Sequence, residues 1–215
     1  VWEFFGNEEG ERSALEDTLV SMVAVDAHCV AGDCLVLAYN DSANGHFDIV
    51  QGTGGNWRKS ASVKTPGPVS AAIALGGSRF VLGGELVRSS GDTVGWIAVY
   101  DTSSPAWPMH FSDHPAPVSM LASMDGYIAA HGLTRNLSVY TSDLRPIWDH
   151  ASFVELITLL SSDFDGMGAT DLAVVGVMEQ QRFAWQIDSL RVRLRDEGIF
   201  AGAERRSVEG QPDRY

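Results

Sequence analysis

Short apolar runs of strand length alternate with turn-forming residues along most of this chain, and the runs come back in phase. Leu19-Val20-Ser21-Met22, Pro68-Val69-Ser70-Ala71 and Pro117-Val118-Ser119-Met120 share a Val-Ser step, and Val20, Val69 and Val118 are each 49 residues apart. A second set of similar segments runs at its own phase: Val1-Trp2-Glu3, Asp48-Ile49-Val50-Gln51, Ala98-Val99-Tyr100-Asp101, Ser138-Val139-Tyr140-Thr141 and Ala184-Trp185-Gln186. Self-similarity at such a period marks a repeat architecture.

Each period divides into four strands. The second gives 69–75, a turn at Gly76-Gly77, 79–82, 95–101 and 107–111; the third gives 118–122, a turn at Asp125-Gly126, 127–130, 136–140 and 146–149. The first reads as 18–25, 34–39, 46–50 and 57–63, with loops at 41–45 and 52–55, and the fourth as 154–160, 172–177, 182–186 and 189–194. Periods of roughly 36 to 49 residues with four strands each bracket the size of propeller blades. A lone four-stranded sheet cannot bury both faces, whereas radial packing covers each with its neighbours.

The expected fold is therefore an all-β propeller of about four four-stranded antiparallel blades, at 18–66, 67–115, 116–152 and 153–195. Residues 1–17 would be the end of a preceding blade and an acidic loop, and 196–215 a flexible tail or linker. Rings of this kind usually hold roughly seven blades, so the blades are expected to form part of a larger ring.

Composition fits this picture and removes other classes. In 215 residues, 45% apolar content is enough for a sizeable core, and 22 glycines suit many tight turns. A formal charge of −13 argues against a phosphate-binding surface. Arg191, Arg193 and Arg195 alternate with Leu190, Val192 and Leu194, which reads as a strand with one wet face. The acidic start, Glu8-Glu9-Gly10-Glu11 then Glu16-Asp17, reads as a solvated loop. No run approaches the roughly 18 apolar residues of a membrane-spanning helix, and the N-terminus lacks the order of a signal peptide. Two cysteines, Cys29 and Cys34, make no disulfide framework; buried free thiols in a reducing, cytoplasmic or nuclear compartment are expected, although a hairpin could bring the pair together.

The third-strand endings resemble the place where WD40 repeats carry Trp-Asp. Val1-Trp2-Glu3 and Val99-Tyr100-Asp101 are the nearest forms, Val139-Tyr140-Thr141 and Ala184-Trp185-Gln186 weaker ones, and the Gly-His that opens a typical WD40 blade is missing. The resemblance, covering the chain to about residue 195, implies a degenerate WD40-like propeller. In the fourth period, Asp163-Phe164-Asp165-Gly166-Met167-Gly168-Ala169-Thr170-Asp171-Leu172 is similar to the loop of FG-GAP propeller blades, which often binds calcium. That resemblance implies Asp163, Asp165 and Asp171 as carboxylate ligands of a hard cation, with Met167 standing where an oxygen side chain is usual. The other reading of the same residues is a tight hairpin held by side-chain to backbone hydrogen bonds.

No catalytic constellation emerges. His110 and His114 are flanked by Pro108 and Pro115 and read as a solvated loop. In Ser112-Asp113-His114 adjacent side chains point to opposite faces of an extended chain and cannot form a proton relay. His28, His46, His131 and His150 fall in different periods. Gly52-Thr53-Gly54-Gly55 and Gly83-Gly84 lack the Lys-Ser or Lys-Thr of a phosphate loop and read as turns or bulges. The expected role is thus non-enzymatic, a protein-interaction scaffold within a multiprotein complex, without nucleic acid, membrane insertion or cofactor. Trp57, Trp107 and Trp148 fall on outer strands, where an exposed aromatic could anchor a partner. The alternative is a calcium-stabilised FG-GAP-type propeller with a ligand-binding or hydrolytic role.

Overall fold

A computed structural model of the chain describes residues 18–29, 32–41, 44–53, 56–133, 137–150, 155–163, 168–178, 181–187 and 204–206. These residues form four antiparallel four-stranded sheets, each built from strands consecutive in sequence. The first holds β1 (Thr18–Cys29), β2 (Gly32–Asp41), β3 (Asn44–Thr53) and β4 (Asn56–Lys64). The second holds β5 (Val69–Gly76), β6 (Arg79–Val87), β7 (Thr93–Asp101) and β8 (His110–His114). The third holds β9 (Val118–Met124), β10 (Tyr127–Gly132), β11 (Leu137–Thr141) and β12 (Pro146–His150). The fourth holds β13 (Glu155–Ser162), β14 (Asp171–Met178), β15 (Gln181–Ile187) and β16 (Glu204–Arg206).

The first strands pack side by side in the order β1, β5, β9, β13, so the sheets are blades arranged about a common centre. Apolar cores lie between successive blades. Val36, Ala38, Phe47 and Ile49 of the first meet Phe80, Leu82, Trp96, Ala98 and Tyr100 of the second. Val81, Ile97 and Val99 meet Val118, Ile128, Ala130 and Tyr140 of the third. Ala129, Leu137 and Val139 then meet Leu159, Leu172 and Val174 of the fourth. Consecutive positions of β7 therefore serve opposite cores, as a pleated strand covered on both faces requires.

The repeated Val-Ser step marks one structural event. Register shifts between Leu19 and Ser21, Val69 and Ala71, Val118 and Met120, and Leu156 and Thr158 put a bulge in the first strand of every blade. An extra residue there sharpens local twist and bends the strand. Gly83-Gly84 lies inside β6 opposite one of these bulges and makes no turn.

The repeat also extends further back than the Val-Ser step. Thr65-Pro66-Gly67-Pro68 and His114-Pro115-Ala116-Pro117 connect one blade to the next, and each opens on a buried side chain bound to the carbonyl two residues on. Thr65 Oγ1 donates to Gly67 O at 2.7 Å, and His114 Nδ1 meets Ala116 O at 2.7 Å. Each connector crosses a glycine of the preceding third strand so closely that a Cβ on Gly45 would lie 2.3 Å from Gly67 O, and one on Gly95 1.9 Å from Ala116 O.

Two readings change. The first-blade loops shrink, because Asp41 pairs with Asn44 and Thr53 with Asn56, so Gly45 and Gly52 belong to strands. The outermost strand of the fourth blade among the described residues is Glu204–Arg206, inside the segment expected to be a tail, while 189–194 lies outside the described residues. The alternation of Leu190 to Leu194 drew that reading; a short charged strand is equally suited to a solvated edge.

Candidate functional site

Interaction chemistry concentrates where the first and second blades diverge at the rim. Residues paired across neighbouring strands share a face. Val63 lies opposite Phe47 and Ala61 opposite Ile49, so β4 presents both towards the second blade, where they pack half-buried onto the shared core. Phe111 lies opposite Ala98, so β8 presents it towards the first blade. Met109 donates its N–H to Val99 O at 2.7 Å and extends β8 by one alternating position, and Trp107 precedes it. All three are exposed, Trp107 at 79%, Met109 at 50% and Phe111 at 45%; only Phe111 lies within β8, and Trp107 stands at a bend before the strand, not on an outer strand as the sequence suggested. Trp57 and Trp148 are half-buried, and Trp148 packs onto the core between the third and fourth blades.

Charged residues flank this rim at its two ends. Arg58 lies opposite Gln51 on the same face of β4 and is exposed, and no carboxylate pairs with it among the described residues. Asp113, two positions beyond Phe111, forms an ion pair with Arg88. The corresponding rim between the second and third blades is polar: β8 presents half-buried His110 and Ser112 there, and Ser138 Oγ donates to Asp149 Oδ1 at 2.9 Å.

The remaining polar positions serve structure. Asp101 follows Tyr100 at the end of β7, where WD40 repeats carry Asp. Its carboxylate accepts from Ser103 N at 2.8 Å, from Ser103 Oγ, and from Ser78 Oγ at 2.9 Å, tying two turns together. Burial alone would raise its pKa, but these hydrogen bonds hold it below the usual carboxylate value. Tyr100, stacked on Phe80 at 5.5 Å, has its phenol pushed up to about 12 by burial.

His114 does not sit in a solvated loop: it is 1% exposed and lies beside a second buried histidine, His131. Its backbone carries it inward because it opens the connector, the place Thr65 holds one repeat earlier. Ser119 Oγ lies 3.1 Å from His131 Nδ1, and Nε2 of both imidazoles is buried without a partner. Among the described residues no acid bonds to His131, so the Ser119 contact lacks the third member of a charge relay. Spacing between histidines gave no hint of this pair; alignment of the two connectors would have shown that position 114 is a buried one.

Burial lowers the pKa of His114, against the opposing Ala116 hydrogen bond and the Asp149 carboxylate; burial and the neighbouring His114 lower that of His131. The unfolded chain therefore takes up protons near pH 6.5, where the folded blades do not. Stability should fall as pH drops from 7 towards 5, in a window above that of the carboxylates. His114→Thr, which copies Thr65, keeps the connector bond and should flatten the profile, as read by urea unfolding at each pH.

The residues expected to hold calcium are only partly described. Asp163 follows β13, is exposed, and its Oδ2 accepts the Gly168 N–H at 2.9 Å, where Gly168 has φ +83°. Asp171 opens β14 opposite Ser162 and is buried; Asp165 lies outside the described residues. Between them Thr170 binds both carboxylate oxygens of Asp125, the turn residue of the neighbouring blade, at 2.9 and 3.0 Å. No group of three or more His, Cys, Asp or Glu is arranged to hold a metal among the described residues. Cys34 is disulfide-bonded, not the expected free thiol, so cysteine usage gives no ground for a reducing compartment. The β1–β2 hairpin supplies the reason, with Cys29 pairing Gly32 and Val25 pairing Cys34 across it.

Blades of four antiparallel strands, joined by inter-blade cores and first-strand bulges, define a WD40-like β-propeller fold. The chain is similar to a solved BBS1 N-terminal chain crystallised in complex with ARL6, at 12% identity and a TM-score of 0.55, covering 80% of this chain and 49% of that one. It is also similar to the WD40 β-propeller domain of Doa1, at 11% identity, TM-score 0.47, and 80% and 56% coverage. A third similar structure is the WD40 domain of Toxoplasma gondii coronin, at 8% identity, TM-score 0.43, and 90% and 60% coverage. The chain thus spans about half the length of the BBS1 chain. No family model matches, and no curated protein matches.

Proposed function

We propose that this chain is a protein-interaction platform, a non-enzymatic propeller subunit of a larger multiprotein complex. The observation that carries the reading is the exposed strip Trp107, Met109 and Phe111 on the rim of a rigid blade. Large apolar side chains exposed on an outer strand and on the segment leading into it are what a partner-binding surface needs and what a solvated edge avoids. The crystallised complex of BBS1 with ARL6 supports protein partners for such a scaffold. Tagged protein captured from its native source should bring down stable, stoichiometric proteins, and Trp107→Ser with Met109→Ser should release them without lowering the melting temperature. A solitary monomer that turns over a small substrate would overturn the reading.

We also propose that further blades complete the ring. The row β1, β5, β9, β13 is open, with no substantial packing of β13 against β1 among the described residues.

The second reading is a calcium-stabilised, FG-GAP-type blade, and the buried Asp171 beside the Asp163 loop is what favours it. Asp163, Asp165 and Asp171 would hold the ion, although one oxygen of Asp163 already accepts a backbone amide. Calcium should then raise the melting temperature of the wild type and leave Asp165→Ala unmoved. Equal melting with calcium and with chelator, in both proteins, ends it.

A further inference from the structure

We infer that the joint between the second and third blades carries a proton-sensitive latch: the neutral His114 side chain fastens the connector, the protonated one releases it, and the joint fastened by Thr65 has no such response. The two connectors occupy the same place in the repeat and differ in the chemistry of their first residue. Thr65 donates its hydroxyl to Gly67 O, and that bond takes up no proton. At His114 the Ala116 carbonyl can only accept, so Nδ1 carries the hydrogen of the neutral ring and Nε2 is left with a bare lone pair. That nitrogen is buried without a partner among the described residues. The ring fills the joint itself: a Cβ on Gly132 of β10 would stand 2.7 Å from His114 Cε1, and the Tyr140 ring of β11 lies 6.4 Å away between centroids. A second proton on Nε2 is therefore a buried charge with no acceptor, and the ring must leave the joint to reach water. Leaving breaks the bond to Ala116 O and with it the hold on the connector.

The groups around the ring pull in both directions. Asp149 of β12, whose Oδ1 accepts from Ser138 Oγ at 2.9 Å, favours the cation, and Glu85 shares the face of His114 two strands away, through Gly95. His131 of β10 is a second buried imidazole, and charge on one ring disfavours charge on the other. His110 acts on Asp143, and Asp113 is paired with Arg88. Burial outweighs the carboxylates and holds the pKa of His114 below the ordinary 6.5. The joint is thus fully fastened above that value and loses its hold as pH falls through it, because the open connector binds a proton that the closed one refuses.

Hydrogen exchange of the folded protein, resolved at single amides, tests the latch. Leu133 N–H donates to Pro117 O at 3.0 Å and reports on the His114 connector; Glu85 N–H donates to Pro68 O at 3.2 Å and reports on the Thr65 connector. After correction for the chemical rate, exchange at Leu133 relative to Glu85 should rise about tenfold from about pH 7.5 to about pH 5.5, the gain for one proton taken up near 6.5 on opening. His114→Thr should abolish the rise, and His131→Gln should keep it. Should His114→Thr fail to fold, His114→Asn, whose amide can also donate to Ala116 O, takes its place. A constant ratio, which is what acid destabilisation of the whole protein gives, overturns the latch. So does a rise that survives the His114 substitution, or one that is lost in His131→Gln.

Discussion

Phe47→Ala should destabilise the protein by about 3–5 kcal/mol, the cost of emptying a fully buried phenylalanine site. Phe47 is 0% exposed, and its ring meets Phe80 edge-on at 5.2 Å and Tyr100 at 4.8 Å. It comes from β3 while both partner rings come from the second blade, so the cavity opens in the joint between two sheets. Neither sheet can close it without tilting against the other. For a chain of this size each kcal/mol moves the melting temperature by about 2–4 °C, so a drop of roughly 6–20 °C is expected. Urea unfolding followed by tryptophan fluorescence checks it, because Trp96 lies in the same core. A loss below about 1 kcal/mol would show that the blades are not joined there.

Gly95→Ala should cost about 3 kcal/mol or more, at the upper end for inserting one methyl into a packed site. The added Cβ would stand 1.9 Å from Ala116 O and 2.9 Å from His114 Cβ. Ala116 O cannot swing aside cheaply, because the His114 imidazole holds it at 2.7 Å and the ring is itself buried. Gly91→Ala adds the same methyl at a turn with φ +89°, where nothing lies within 4 Å. There only the left-handed backbone resists, at about 1 kcal/mol. Chemical denaturation of the pair therefore separates crowding at a connector from local backbone strain. Equal losses would mean that the connector does not press on β7.

These two positions show what the sequence reveals and what it conceals. Strand periodicity made the blades legible, because alternation and turn residues are local properties; the order within each sheet followed from short connections. The bulges were announced by the Val-Ser repeat, but what the repeat marks is a register shift, which only pairing partners define. Gly45 and Gly95 read as ordinary loop or strand glycines, since nothing local tells that a connector will cross them. His114 misled for the same reason: flanking prolines signal a loop, and whether a loop is solvated depends on what it crosses. The exposed rim was half visible: Trp107 was picked out together with Trp57 and Trp148, which are half-buried, whereas Met109 and Phe111 were not, because exposure depends on what each strand faces.

The most direct test of the whole account is a cryo-electron microscopy map of the protein in its native assembly, read for what occupies the sides of β1 and β13 that face away from this chain's other blades. The account predicts four adjacent sectors of a wider ring of roughly seven blades, with other blades against β1 and β13 and a partner protein on the exposed rim at Met109 and Phe111. A closed disc of four sheets, with β13 packed directly on β1 and the rim bare, would contradict it.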